Sequence, residues 1–336
     1  MDRNRTRALA TTAAMLVGLW GASGATAHAA TTAAPAKAVN GTIVTGTFDD
    51  GPQWVCALAG TSPTTGTVTA LTATGAGCDP AASPDGTQLS YIGAATPDTT
   101  ERAITTPLTL HVMDSNGTHS RVVYRLPNTH YTLTGAIFTP DGQHLVFGVR
   151  NLISDTSALY RIGTNGKGLT GLDLGFEKTT SIQPEAYSPD GRTLAVSLDG
   201  GSSLWMKTGN AKPYQPRLAV EPKGGVSFSP DGKELAYSDG GSDYLADLAT
   251  GRATLIAAGY QDAGHNQHLF GAATFSPDGT RIALLATEMP WGAMGGFFTT
   301  LETVEVAHLS TPVAVSPQKT DGETDTLVWL PAHTAR

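Results

Sequence analysis

One short turn constrains this chain more than any other feature. Ser-Pro-Asp-Gly begins at Ser83, Ser188, Ser229 and Ser276, and Thr-Pro-Asp-Gly begins at Thr139. Asp-Gly is a strong hairpin signal, and the proline before it presets the first φ of the turn. The flanks repeat too. Two residues before the proline stand Ala82, Phe138, Tyr187, Phe228 and Phe275. Five after it stand Leu89, Leu145, Leu194, Leu235 and Ile282, and seven after it Tyr91, Phe147, Val196, Tyr237 and Leu284. Apolar residues spaced by two beyond a turn belong to a strand with one buried face.

The remainder of each unit also reads as β. After the turn at Ser229 comes "GSDYLADLATGRATLIA", two further strands about a Thr-Gly turn, and "SSLWMKTGNAKPYQPRL" follows the same plan one unit earlier. No stretch sustains a helical period. A four-stranded antiparallel unit of roughly 40 to 50 residues, repeated along a chain, is the signature of a β-propeller. A β-sandwich would not need the same turn at the same place in every unit. The "FSPDG…LAY" pattern resembles the TolB-like propellers, relatives of the WD-type repeat. The resemblance spans nearly all of the chain beyond its first residues and implies an architecture rather than a role. No region reads as the additional domain of TolB itself or as the hydrolase domain of prolyl-oligopeptidases.

Five turns make five complete blades, and the chain ends supply a sixth. Trp329 stands two before Pro331, as Phe275 stands two before Pro277, so Thr326 to Leu330 reads as an inner strand. Ile43 to Phe48 reads as a second strand, and the chain from Trp54 onward as a third and fourth. The expected fold is all-β: a six-bladed β-propeller of four-stranded antiparallel blades, closed by the C-terminal strand joining the N-terminal blade, over residues 41–336.

Residues 1–29 are of a different kind. Arg3, Arg5 and Arg7 precede an apolar run that ends in "AHA" at Ala27 to Ala29. This reads as a secretory signal peptide cleaved after Ala29, with residues 30–40 a flexible leader. An uncleaved anchor is the alternative, disfavoured by a short run diluted with Gly, Thr and Ser. The expected protein is secreted or extracytoplasmic, monomeric, and not inserted in a membrane after cleavage. A net charge of −8 leaves no electrostatic footprint for nucleic acid. In an oxidising compartment the two cysteines, Cys56 and Cys78, are expected to form one disulfide.

Chemistry is hard to place. Asp85, Asp141, Asp190, Asp231 and Asp278 recur at the turn of every complete unit, which marks them as turn chemistry rather than a catalytic or calcium set. Non-repeating loops at the opposite face are better candidates. "GYQDAGHNQHLF" carries Asp262, His265 and His268, which are either surface groups or the makings of a divalent-metal site. "TEMPWGAMGGFF" carries Met289 and Trp291, in a loop that folds over the ring's mouth or meets a partner. Glu185 and Glu288 stand near the ring's mouth or channel, and nothing in the sequence selects either. There is no Gly-x-Ser-x-Gly elbow and no phosphate-cradling loop. The expected function is therefore non-catalytic binding of an extracellular protein or cell-envelope glycan through the top-face loops, with no cofactor and no resident metal. The alternative is a lyase or hydrolase acting at the channel mouth, with or without a metal.

Overall fold

The computed structural model describes residues 39–49, 55–73, 75–94, 108–176, 179–291, 298–315, 320–321 and 326–332. The signal-peptide and leader readings fall almost wholly outside these residues, as do Trp54 and most of the loop after Ala94. Blade one holds β1 (Asn40–Asp49), β2 (Val55–Thr61) and β3 (Val68–Ala70). Blade two holds β4 (Cys78–Ala82), β5 (Gln88–Ala94), β6 (Leu108–Asp114) and β7 (Arg121–Arg125). Blade three holds β8 (Tyr131–Phe138), β9 (His144–Asn151), β10 (Thr156–Gly163) and β11 (Thr170–Leu172). Blade four holds β12 (Ile182–Tyr187), β13 (Thr193–Leu198) and β14 (Ser203–Thr208). Blade five holds β15 (Gly224–Phe228), β16 (Glu234–Ser238), β17 (Asp243–Asp247) and β18 (Ala253–Ala257). Blade six holds β19 (Tyr260–Gln261), β20 (Gln267–Phe275), β21 (Arg281–Met289), β22 (Phe298–Glu305), β23 (His308–Ala314) and β24 (Thr320–Asp321). The last strand, β25 (Leu327–Pro331), returns to blade one, whose sheet order is β25-β1-β2-β3.

The chain is thus a six-bladed antiparallel β-propeller, closed as its sequence predicts. Two blades depart from the four-strand plan. In blade four the expected outer strand is reduced to one bridge, Met206 to Tyr214. Pro213 and Pro216 flank that bridge and offer no N–H to a ladder, so pairing cannot extend. In blade six the inner strand β20 runs on past the ring and pairs with the extra strand β19.

The recurrent turn is built the same way five times. At Ser229, the hydroxyl donates to Asp231 Oδ1 at 2.8 Å, the Lys233 amide donates to the same oxygen at 3.1 Å, and the Glu234 amide donates to Ser229 Oγ at 2.9 Å. At Ser276, the corresponding distances are 2.7, 2.9 and 2.9 Å. The glycines of these turns have φ between 66 and 72°, where a side chain is strained. They also stand against the neighbouring blade. A Cβ on Gly191 would lie 2.9 Å from Pro140, and one on Gly86 would lie 2.5 Å from Pro331. The Pro of one turn therefore seats on the Gly of the next around one end of the ring. Where the chain ends interrupt this series, Asn40 Oδ1 accepts from the Asp278 amide at 3.1 Å.

Closure itself rests on β25. Ile43 faces Trp329, Val44 faces Val328, and Thr45 faces Leu327 across the β1–β25 pair. Trp329 is 5% exposed and donates through Nε1 to the Gly41 carbonyl at 3.1 Å. The Cys56–Cys78 disulfide adds a second tie, joining β2 of blade one to the start of β4 in blade two. Such a link restricts the unfolded chain by about 3 kcal/mol.

The turn hydrogen bonds also set acid stability. The Lys233 ammonium, then the Ser229 hydroxyl and the Lys233 amide, pull the Asp231 carboxyl down to about 2. Burial would raise Asp278, but donors from Thr280, Ser276 and Asn40 outweigh it and hold it down to about 2. A carboxyl lowered in the folded state stabilises above its unfolded pKa and stops doing so as pH falls through its folded value. Denaturant midpoints should therefore fall between about pH 4 and pH 2. Asp278→Asn should be weaker than wild type at pH 6 and converge with it near pH 2; a constant gap across that range would refute the assignment. Trp329→Ala should cost about 3–5 kcal/mol, and deleting residues 324–336 should lower the melting temperature of the entire ring.

Candidate functional site

The inner strands β4, β8, β12, β15, β20 and β25 surround a channel of about 720 Å³. Small residues such as Ala81, Ala136, Gly225 and Ala272 keep it open. In blades two to six the inner strand shifts register against its neighbour, at Cys78/Ala81, Leu133/Ala136, Pro184/Ala186, Gly224/Ser227 and Phe270/Ala273. A bulge of this kind bends the strand and re-aims a side chain. In blade four the bulged residue is Glu185, which lines the channel. It is half-buried at the channel wall. Burial pushes its carboxyl up, against weaker opposing contacts from the Ser197 hydroxyl and the Val226 amide. Asp79, Tyr187 and Lys223 are the other ionisable groups among the described residues that line the channel.

A second cluster stands on the β19–β20 hairpin of blade six. Asp262 organises its turn: Oδ1 accepts from the Gly264 and Asn266 amides at 2.8 and 2.9 Å, and Oδ2 accepts from Asn266 Nδ2 at 2.9 Å. The Asn266 side chain is the main cause of a lowered Asp262 pKa. His268 Nε2 lies 3.4 Å from Asp262 Oδ2. Tyr260 stacks on His268, with ring centroids 4.3 Å apart and planes within 6°. His265 sits at a φ of 65° and meets the Trp291 ring at 5.5 Å. Trp291 is anchored through its backbone N–H, which donates to Asn266 Oδ1 at 3.0 Å. The Tyr260 and Trp291 side chains are left 56% and 71% exposed.

The structure therefore brings Asp262, His265, His268 and Trp291 into one patch, with Tyr260 and Asn266 added. Met289 is half-buried opposite Gln267 on the same blade. Met294 and Phe297 lie outside the described residues. Much of the Asp262 carboxylate is taken up by its own turn. Among the described residues, no three His, Cys, Asp or Glu side chains converge on a metal position. The turn aspartates stand at the other end of the inner strands; β20 alone carries nine residues between the hairpin and the turn at Ser276, about 30 Å. No helix among the described residues is long and apolar enough to cross a membrane.

No family model and no curated protein matches the chain. Solved structures do. A nidogen/laminin complex aligns at 12% identity over 86% of this chain and 98% of its own, with a TM-score of 0.57. A periplasmic gluconolactonase from Pseudomonas aeruginosa aligns at 13% identity over 86% and 98%, with a TM-score of 0.50. A structure assigned as TolB from Agrobacterium tumefaciens aligns at 11% identity over 87% and 99%, also at 0.50. At these identities the likeness is one of fold.

Glu185 makes a pH prediction. A carboxyl raised in the folded state holds its proton more tightly than the unfolded chain does, so stability falls as pH rises above the unfolded value of 4.5. Glu185→Gln should remove that slope, gaining on wild type as pH increases. Thermal melts from pH 4 to pH 9 read it directly, and parallel curves would contradict it.

Proposed function

We propose that this chain is a secreted, non-catalytic propeller that captures a cell-envelope glycan on its top face. The supporting observation is the blade-six patch. Tyr260 and Trp291 present large exposed rings, each beside an imidazole, with the amide of Asn266 and the carboxylate of Asp262 between them. Aromatic faces bury the apolar face of a sugar ring and the adjacent imidazoles take its hydroxyls, while Asp262 and Asn266 hold the hairpin and Trp291 in place. A protein partner would more commonly demand a wider apolar patch than these two separated rings provide. The arginine-led, apolar N-terminal segment and the disulfide support an extracytoplasmic location. The turn repeats support kinship with the TolB-like propellers.

A second reading places an enzyme at the channel mouth. It is favoured by Glu185, a channel-lining carboxyl whose pKa burial pushes up.

Binding to purified cell-wall polysaccharides and oligosaccharides, followed by calorimetry, separates the two. Trp291→Ala and Tyr260→Ala should each weaken glycan binding by about ten-fold or more without lowering the melting temperature. Glycan binding that is unaffected by both changes would refute the patch. Turnover of an oligosaccharide that is lost in Glu185→Gln would establish the second reading instead.

A further inference from the structure

Asp243 is the most anomalous group in the protein. It is 0% exposed, and neither carboxylate oxygen has a hydrogen-bond partner. Such groups are rare in folded proteins and call for a ligand or a compensating charge. Its place in the repeat is equally unusual. Eight residues after the turn proline stand Ile92, Gly148, Ser197, Ser238 and Leu285, and their partners on the third strand are Leu110, Leu159, Leu204, Asp243 and Leu301. The four leucines are all buried. Blade five alone of these five places a carboxylate where its neighbours place leucine.

The surroundings are oxygen-rich, and the Lys223 side chain lies against Gly240 of the same turn. Ser238 faces Asp243 directly, and residues 239–242 close the turn between them. The Ser238 hydroxyl has the Phe270 carbonyl at 3.0 Å and the Ser242 carbonyl at 3.4 Å as acceptors, while its Oγ accepts from the Gly240 amide at 3.0 Å. Asp239 uses Oδ1 to receive the Gly241 and Ser242 amides at 3.1 and 2.9 Å. Burial pushes the Asp243 carboxyl up to about 8; the Ser238 contact opposes this and the Asp239 carboxylate adds to it. The turn is also held in place from outside. The Gly241 carbonyl accepts from the Phe270 amide at 2.9 Å, and Ser242 Oγ accepts from the Gly259 amide at 2.9 Å. Blade six thus holds the blade-five turn in a fixed shape.

We propose that Asp243 is the anchoring ligand of a calcium site in the seam between blades five and six. Calcium takes six to eight oxygen ligands and accepts carbonyls and hydroxyls beside carboxylates. The 238–243 turn offers the Asp243 and Asp239 carboxylates, the Ser238 and Ser242 hydroxyls and the turn's own carbonyls. A site with so few carboxylates belongs to the weak class of extracellular calcium modules, which fill at about 10⁻⁴–10⁻³ M. Binding there would clamp the two blades together, since the same turn bonds to β20.

The test uses the full chain, stripped with chelator and then melted with and without excess calcium. The expected result is a rise of about 3 °C at ten times the dissociation constant, with about one calcium per chain by equilibrium dialysis. Asp243→Asn and Asp243→Leu should abolish the shift. The leucine variant should melt at or above the calcium-free wild type, because other blades carry leucine there. Glu221→Gln, an exposed acid of the preceding connection, should keep the full shift. A wild type that neither binds calcium nor gains stability overturns the proposal, and so does a shift that survives in Asp243→Leu. If neither Asp243 variant folds, dialysis of the wild type decides alone.

Discussion

The ring depends on one pairing, that of β1 with β25. A four-stranded blade that lost its inner strand would leave β1 as an open edge and leave blade six without the neighbour it packs against. Closure buries Ile43 and Trp329 with Ala272, Ala283, Leu285 and Leu301 of blade six, while Val44 and Leu330 pack with Leu89, Tyr91 and Met113 of blade two. The closing blade therefore joins the hydrophobic seams on both of its sides. Asn40 extends the same function to the turn face. It supplies an acceptor to the Asp278 amide where the Pro-on-Gly series is broken by the chain ends. Closure is thus backbone pairing, apolar packing and a turn contact, and all three fall within a few residues of β1 and β25.

Once the ring is closed, the inner strands have a common geometry and differ only in what they carry. Each of blades two to six bulges at about the same height, so the channel wall is a set of equivalent positions. Small side chains at most of them leave space, and the residue in blade four fills some of it with a carboxylate. The blade-six hairpin is the other local addition. By running past the ring, β20 lifts Tyr260, His265 and His268 clear of the scaffold and positions Asn266 to hold Trp291 from the next loop.

The parts of this structure that repeat were the parts legible in the sequence. The Ser-Pro-Asp-Gly turns and the apolar residues five and seven beyond each proline follow from local chemistry applied five times, and the pairing of the chain ends completes the sixth blade. The blade-four outer strand follows the plan of the other units in sequence but does not form, because Pro213 and Pro216 cannot donate to a ladder. Glu185 stands out in the repeat alignment. Two residues before the aromatic position of each unit stand Pro80, Ala136, Glu185, Val226, Ala273 and Leu327, five apolar residues and one acid. Asp243 was harder to find, because the loop between second and third strands varies in length and hides the register until the pairing is known. The conformation of the blade-six hairpin could not be read at all. Its shape depends on Asp262 receiving three donors from its own turn, a tertiary detail with no periodic trace.

These departures from the repeat share a physical logic. In a propeller each blade packs against a near-copy of itself, so a residue suited to one seam is suited to all. A leucine at the Asp243 position would satisfy the seam at no electrostatic cost, as it does in blades two, three, four and six. The carboxylate there carries a desolvation penalty that the surrounding turn does not offset through hydrogen bonds. Glu185 carries a penalty of the same kind at the channel wall. The exposed rings of Tyr260 and Trp291 give up burial that a scaffold residue would have gained. Each of these positions departs from what folding alone would select. Because the repeats supply an internal standard for what the scaffold needs, the departures separate residues that serve the ring from those on which the proposed glycan and calcium sites rest.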